Sequence, residues 1–442
     1  MDIQVQRYGF WALPIAPLKV YNRANALLQG ILDGIGGPTI PIFFAFLKKS
    51  LLYKNTKRDT SIAGISYGML PRQRMDLFVP LNAHKQNDKT SSQFKKNQNF
   101  TDTDTKESNS DCGELPVIIV FPGYSWNNTA GLIQLYKPMA QTLCDTGVFV
   151  ILPNLGLPGK TSLSEILEDM QLVVEWTVSN IGNSGGDPKQ IHLLGFGAGA
   201  HMCSMYNVAS ALSGWEEIAP FASQTISKLL SNPNASAELV EWLRRLRRPV
   251  IPVAGLILIS GVYSLEKQRK YEEQRCIETL SMSARLFDSI DYAEAWSPLN
   301  ILVELRKRGI YIPNSMFAKR VLIIHGQKDS TFPLEMSQKL FQEFCLMDMD
   351  DVNMKVYANL RRIDPSVILS VQDASLARSF LEDISAALAL DDSDNNTLQK
   401  ESLERDDDHD VDDENEFDIR EIKNKLSKNS LLSSDSGTEN TI

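Results

Sequence analysis

The chain has 442 residues, 43% hydrophobic and 23% charged. That is the balance of a globular protein with a sizeable core, and it excludes collagen-like, coiled-coil and wholly disordered architectures. The net charge of −10 is unevenly spread: residues 391–442 hold 17 acidic and 6 basic side chains, net −11, which leaves +1 for the other 390. A near-neutral body carries no footprint of a nucleic-acid partner. The five cysteines (Cys112, Cys144, Cys203, Cys276, Cys345) are widely spaced and form no CxxC, so a reducing, intracellular compartment is expected. The first residues show no basic n-region followed by an apolar run, so no secretory signal is expected.

Residues 1–63 read as a hydrophobic N-terminal extension. A run from Gly34 to Leu47 contains Phe43, Phe44 and Phe46 and ends at Lys48-Lys49. It is shorter than the ~20 apolar residues of a spanning helix. Two readings stand: a segment packed on the core, or an in-plane or re-entrant membrane element with a basic flank, with Trp11 beside it. The second makes the chain a membrane-associated protein and adds a membrane surface to its partners.

From Gly64 to Leu390 the pattern is that of one α/β domain. Ile65–Gly68 and Met75–Val79 read as strands around the turn Leu70-Pro71-Arg72. Residues 84–114 are polar and read as a disordered insertion. Continuous apolar runs then predict buried parallel strands at Val117–Phe121, Val148–Leu152, Ile191–Leu194, Gly255–Ser260, Val321–His325 and Met354–Tyr357. Helical periodicity lies between them, at about 129–143, 163–180, 198–212, 335–346 and 374–389. Such alternation predicts a mostly parallel, doubly wound sheet with helices on both faces. A lid-like insertion spans 213–250, with Trp242 beside Arg244-Arg245 and Arg247-Arg248; it reads either as a surface helix or as a lid. Residues 391–442 form an acidic tail expected to stay solvated.

The segment Leu193-Leu194-Gly195-Phe196-Gly197-Ala198-Gly199-Ala200-His201 carries the chemistry. An apolar strand runs through small residues into a helix, the context of a G-x-S-x-G nucleophile elbow. Its middle position is Gly197, which tolerates a strained turn but has no nucleophilic atom. Further motifs are Gly185-Gly186-Asp187-Pro188, Ser260-Gly261-Val262-Tyr263, Ser297-Pro298, and His325-Gly326-Gln327-Lys328-Asp329 with Pro333. Together these resemble the α/β-hydrolase superfamily of the carboxylesterase type, and most closely the isoprenylcysteine methylesterase family, whose elbow reads G-x-S-A-G-A-H.

The resemblance implies the α/β-hydrolase fold and a Ser–Asp–His triad in that chain order. Asp329 matches the acid. The histidine matches Arg362, within Leu360-Arg361-Arg362-Ile363-Asp364; arginine stays protonated and cannot act as a base. The oxyanion-hole positions match Gly123, Tyr124 and Ala198, with Tyr124 standing where the family has a second glycine. Of the five histidines (His84, His192, His201, His325, His409) only His409 follows Asp329, and it lies in the acidic tail.

Gly182-Asn183-Ser184-Gly185-Gly186 matches G-x-S-x-G literally but precedes the strand, so a simple turn is expected. Ser125, Ser204 and Cys203 read as packing or local hydrogen-bonding residues, and His201 and His325 as structural. With nucleophile and base both missing, the reading is a catalytically inactive pseudo-hydrolase with a binding or scaffolding role. The resemblance implies a lipid or a prenylated or acylated ligand, and no metal or cofactor. The alternative is an active carboxylic-ester hydrolase with an unconventional nucleophile. A third reading, an interaction platform built on the acidic tail and apolar N-terminus, overlaps the first.

Overall fold

The computed structural model describes residues 61–81, 115–123, 133–156, 161–218, 250–275, 296–307, 309, 312–349, 351–358, 360–361, 368–369 and 375–388. The Gly34–Leu47 run, the 84–114 insertion, most of the 213–250 insertion, the 391–442 tail, Tyr124, Ser125 and Arg362 lie outside them.

One eight-stranded sheet has the order β1-β2-β4-β3-β5-β6-β7-β8. Its strands are β1 (Ser61–Ser66), β2 (Arg74–Phe78), β3 (Leu115–Phe121), β4 (Phe149–Asn154), β5 (Gly186–Phe196), β6 (Gly255–Ile259), β7 (Arg320–Gly326) and β8 (Asp351–Tyr357). The β1–β2 and β2–β4 pairs are antiparallel and all others parallel. This is the mostly parallel sheet expected from the alternation, in the α/β-hydrolase fold that the resemblance implies.

Seven α-helices are described: α1 (Ile133–Cys144), α2 (Leu163–Asn180), α3 (Ala198–Ile218), α4 (Leu265–Gln274), α5 (Pro298–Lys307), α6 (Leu334–Leu346) and α7 (Ser375–Leu388). The central strands are apolar throughout because both faces are covered. On one face Ile118, Val120, Val150, Leu194, Ile257, Ile259, Leu322 and Ile324 pack with Met139 and Leu143 of α1 and Phe380 and Ile384 of α7. Helices α2, α3 and α6 contact β5, β6 and β7.

Helix α2 begins where the sequence places it because Ser162 closes a capping box. The Glu165 N–H donates to Ser162 Oγ at 3.3 Å and the Ser162 N–H to Glu165 Oε2 at 2.9 Å. Helix α3 runs six residues past the expected end at 212, into the region read as an insertion. Helices α4 and α5 were not expected. The β1–β2 turn is locked to α2 by the buried Asp169: Gln73 Nε2 donates to Oδ1 at 2.7 Å, the Gly156 N–H to Oδ2 at 2.8 Å, and Arg72 Nη2 lies 3.2 Å from Oδ2.

The expected membrane-associated location is corrected. No helix among the described residues is long and apolar enough to cross a membrane. The longest described helix, α3, carries a buried polar row that such a span would leave without partners. His201 Nδ1 meets Val262 O at 2.7 Å, Asn207 Oδ1 accepts from the Ala318 N–H at 2.8 Å, and Ser210 Oγ donates to Val250 O at 3.3 Å.

Candidate active site

After β3 the chain moves outward to β4 and then returns to β5 on the other side of β3. Such a switch leaves a crevice beyond the carboxyl ends of the two diverging strands, where open α/β sheets bind ligands. Gly123 follows β3 there, and Gly197 follows β5.

Gly197 joins β5 to α3 with φ +53°, in the left-handed region that favours glycine. Its N–H donates to Ile259 O at 2.9 Å, and its carbonyl accepts from the His201 N–H at 3.1 Å. The neighbouring glycines are required by close approach. A Cβ on Gly199 would lie 2.0 Å from Phe121 O, one on Gly195 2.5 Å from Ala200 N, and one on Gly123 1.6 Å from Phe196 O. The backbone is therefore a tight strand–turn–helix elbow with the β3 loop pressed against it, and its apex carries no side chain. Ala198 opens α3 and is buried. Of the oxyanion-equivalent positions, Gly123 and Ala198 are described and Tyr124 is not.

Asp329 follows β7, two strands from the elbow. Its Oδ1 accepts from the Thr331 N–H at 2.8 Å and the Phe332 N–H at 2.9 Å, so it shapes its own loop. Its Oδ2 lies 3.7 Å from His325 Nε2. That contact is no ion pair near neutral pH, because burial holds the His325 imidazole below its ordinary pKa against the opposing pull of Asp329. Phe332 links the two predicted positions: its Cε2 would stand 3.1 Å from a Cβ on Gly197. Arg362, matched to the base, lies outside the described residues, so no pairing with Asp329 is assigned.

The rescue candidates among the described residues have structural contacts; Ser125 lies outside them. Ser184 sits in a short 3₁₀ turn before β5, with Gly185 at φ +91°. It precedes β5, at the end of that strand opposite the elbow. Ser204 Oγ donates back to Ala200 O at 3.0 Å. Burial pushes the Cys203 thiol well above its usual range, the reverse of an activated nucleophile. His201 is buried, and desolvation takes its pKa down to about 4.

Three features escaped the sequence reading. Ser337 Oγ meets His325 Nδ1 at 2.7 Å, so Ser337, His325 and Asp329 form a Ser–His–Asp array, but all three side chains are buried. Ser260, at the end of β6, has φ +47°, and its buried hydroxyl has no hydrogen-bond partner among the described residues. Phe332 lies over the elbow; the D-x-x-x-P spacing that singled out Pro333 marked the neighbouring position without giving the direction of its ring. No group of His, Cys, Asp or Glu suited to hold a metal occurs among the described residues.

Known proteins are similar to this chain in a consistent way. A chlorogenic acid esterase of Aspergillus niger is 35% identical over 102 residues, 21% of this chain and 20% of that protein. A probable isoprenylcysteine alpha-carbonyl methylesterase of Oryza sativa subsp. japonica is 25% identical over 152 residues, 34% of this chain and 29% of that protein. The chain thus spans under a third of the length of either relative. The crystal structure of an inhibited esterase B from Lactobacillus rhamnosis superposes with TM-score 0.50 at 14% identity, covering 87% of this chain and 99% of that one; it shares the fold. The similarity extends to esterases broadly, a coarser kinship than the methylesterase resemblance read from the motifs. The family model described as BD-FAE matches residues 104–344, more than half of the chain, and the chain belongs to that family, within the α/β-hydrolase superfamily of carboxylesterase type.

Proposed function

We propose that this protein is a catalytically silent α/β-hydrolase whose retained site binds a carboxylic ester, or the related acid, bearing a prenyl or acyl group. The observation that carries the reading is Gly197: the elbow is built in full, with its positive φ and close-packed glycines, yet its apex has no atom that can attack a carbonyl. The motif match of the base to Arg362 points the same way, since a guanidinium takes up no proton. The ligand class rests on the methylesterase resemblance. The first turn of a helix leaves backbone N–H groups without intrahelical acceptors, and such donors at the start of α3 suit an ester or carboxylate oxygen.

The test is titration with farnesylcysteine methyl ester, followed at once by binding and by methanol release. Saturable binding with no methanol above the buffer rate is expected. Absence of binding refutes the ligand class, and catalytic release of methanol refutes the silence.

A second reading, an active ester hydrolase with a displaced nucleophile, draws on Ser260. A left-handed serine costs on the order of 1–3 kcal/mol, and such strain collects at functional sites. Under that reading methanol is released and Ser260→Ala abolishes the release.

A further inference from the structure

We propose that Phe332 is a fixed cover over the elbow, latched by Asp329, so that the nucleophile-equivalent position is closed from the side of the β7–α6 loop. The inference deepens the catalytically silent reading and rests on Gly197 occupying the elbow. Its test measures access to position 197 with no turnover, so it stands or falls apart from the activity assay.

The ring touches the place where a side chain would begin. A Cβ on Gly197 would lie 3.1 Å from Phe332 Cε2 and 3.9 Å from Cζ, with Gly123 O at 3.7 Å on another side. Phe332 is itself buried, at 4% exposure. A serine or cysteine at the apex would start in contact with the ring, and a reagent arriving from that side would meet the ring first.

The loop bearing Phe332 is tied from several directions. The Phe332 and Thr331 N–H groups donate to Asp329 Oδ1. The Phe332 carbonyl lies 3.1 Å from His325 Nε2, in position to accept a hydrogen bond from it. Gln268 Nε2 of α4 donates to Thr331 O at 3.0 Å, and Tyr271 OH to Ser330 O at 2.9 Å. Pro333 then fixes the entry to α6. An acid that orients a histidine in a working triad here holds an aromatic ring against the apex. That gives Asp329 a role that survives without its triad partners.

The experiment uses the full chain carrying Gly197→Cys, treated with iodoacetamide and read by site-resolved mass spectrometry. Alkylation needs only a reachable thiolate, so no catalytic base is involved. Buried Cys203 reports global opening in the same sample. Adding Phe332→Ala is expected to raise the alkylation rate of the introduced thiol at least 10-fold, and adding Asp329→Ala, which removes the oxygen that accepts both N–H groups, several-fold, with Cys203 unmodified throughout. Equal rates with and without Phe332 overturn the cover; an unchanged rate in Asp329→Ala overturns the latch.

Should Gly197→Cys not fold, Gly197→Ala reads the same contact by thermal melting. The loss of Tm on adding that methyl group is expected to shrink by half or more in the Phe332→Ala background. An identical loss in both backgrounds overturns the cover.

Discussion

Acid should destabilise this protein through histidines held neutral in its core. His192 on β5 and His201 on α3 are each 1% exposed or less, and each is lowered from 6.5 to about 4. Desolvation is the main cause for both. Arg320 adds to it at His192, while the carbonyls of Val262 and Trp296 oppose it at His201. Burial lowers His325 as well. Since the folded pKa is depressed, the unfolded chain takes the proton first. Stability is therefore complete above about pH 6.5 and is lost as pH falls towards about 4. At pH 5 each of the first two histidines costs on the order of 2 kcal/mol relative to pH 7.5, so about 4 kcal/mol for the pair, a large part of a typical 5–15 kcal/mol. Asp169 works against this trend: burial raises its folded pKa, so its protonation favours the folded state. Urea midpoints at pH 7.5, 6.5, 5.5 and 5.0 supply the assay, with His192→Gln as the diagnostic variant. The wild type should lose roughly 2–3 kcal/mol per pH unit near pH 5, and the variant about half that slope. A flat profile from pH 7.5 to 5, or an unchanged slope in His192→Gln, would refute the assignment of neutral buried imidazoles.

Other consequences follow from particular contacts. Asp169→Ala leaves the Gln73 amide, the Gly156 N–H and Arg72 without their acceptor; a loss of about 2–4 kcal/mol is expected in urea unfolding, and less for Asp169→Asn, which keeps one acceptor oxygen. Gly199→Ala puts a methyl group 2.0 Å from Phe121 O and should cost several kcal/mol or prevent folding. Gly182→Ala, which meets nothing within 4 Å, should be nearly neutral in the same melts. Ser162→Ala removes the capping box of α2 and should cost about 1 kcal/mol.

The sequence announced those parts of the molecule that rest on continuous burial. Strands β3 to β7 are apolar because both faces are covered, so their runs stood out, and α2 matches the periodic stretch 163–180, with the Ser162–Glu165 capping box at its start. Helix α4, LEKQRKYEEQ, escaped notice because it is mostly charged and only Leu265, Gln268 and Glu272 are buried, a pattern without a hydrophobic stripe. The elbow was legible from its glycines, each demanded by a close approach. Phe332 was not: its effect depends on where a loop folds back across β6 to reach β5, which local spacing does not encode. Membrane association was read from an apolar segment outside the described residues, and it finds no spanning helix among those described.

An elbow that is built but unarmed should be inert to a fluorophosphonate, and intact-mass analysis after treatment reads this. Losing a triad serine or histidine costs on the order of a millionfold in a serine protease, so an elbow without either should form no adduct on the assay timescale. The wild type should keep an unshifted mass, while the doubly repaired Gly197→Ser, Arg362→His chain, carrying Phe332→Ala to open the apex, should gain one phosphonyl group. A stoichiometric adduct on any serine of the wild type, Ser260 above all, would contradict an unarmed elbow.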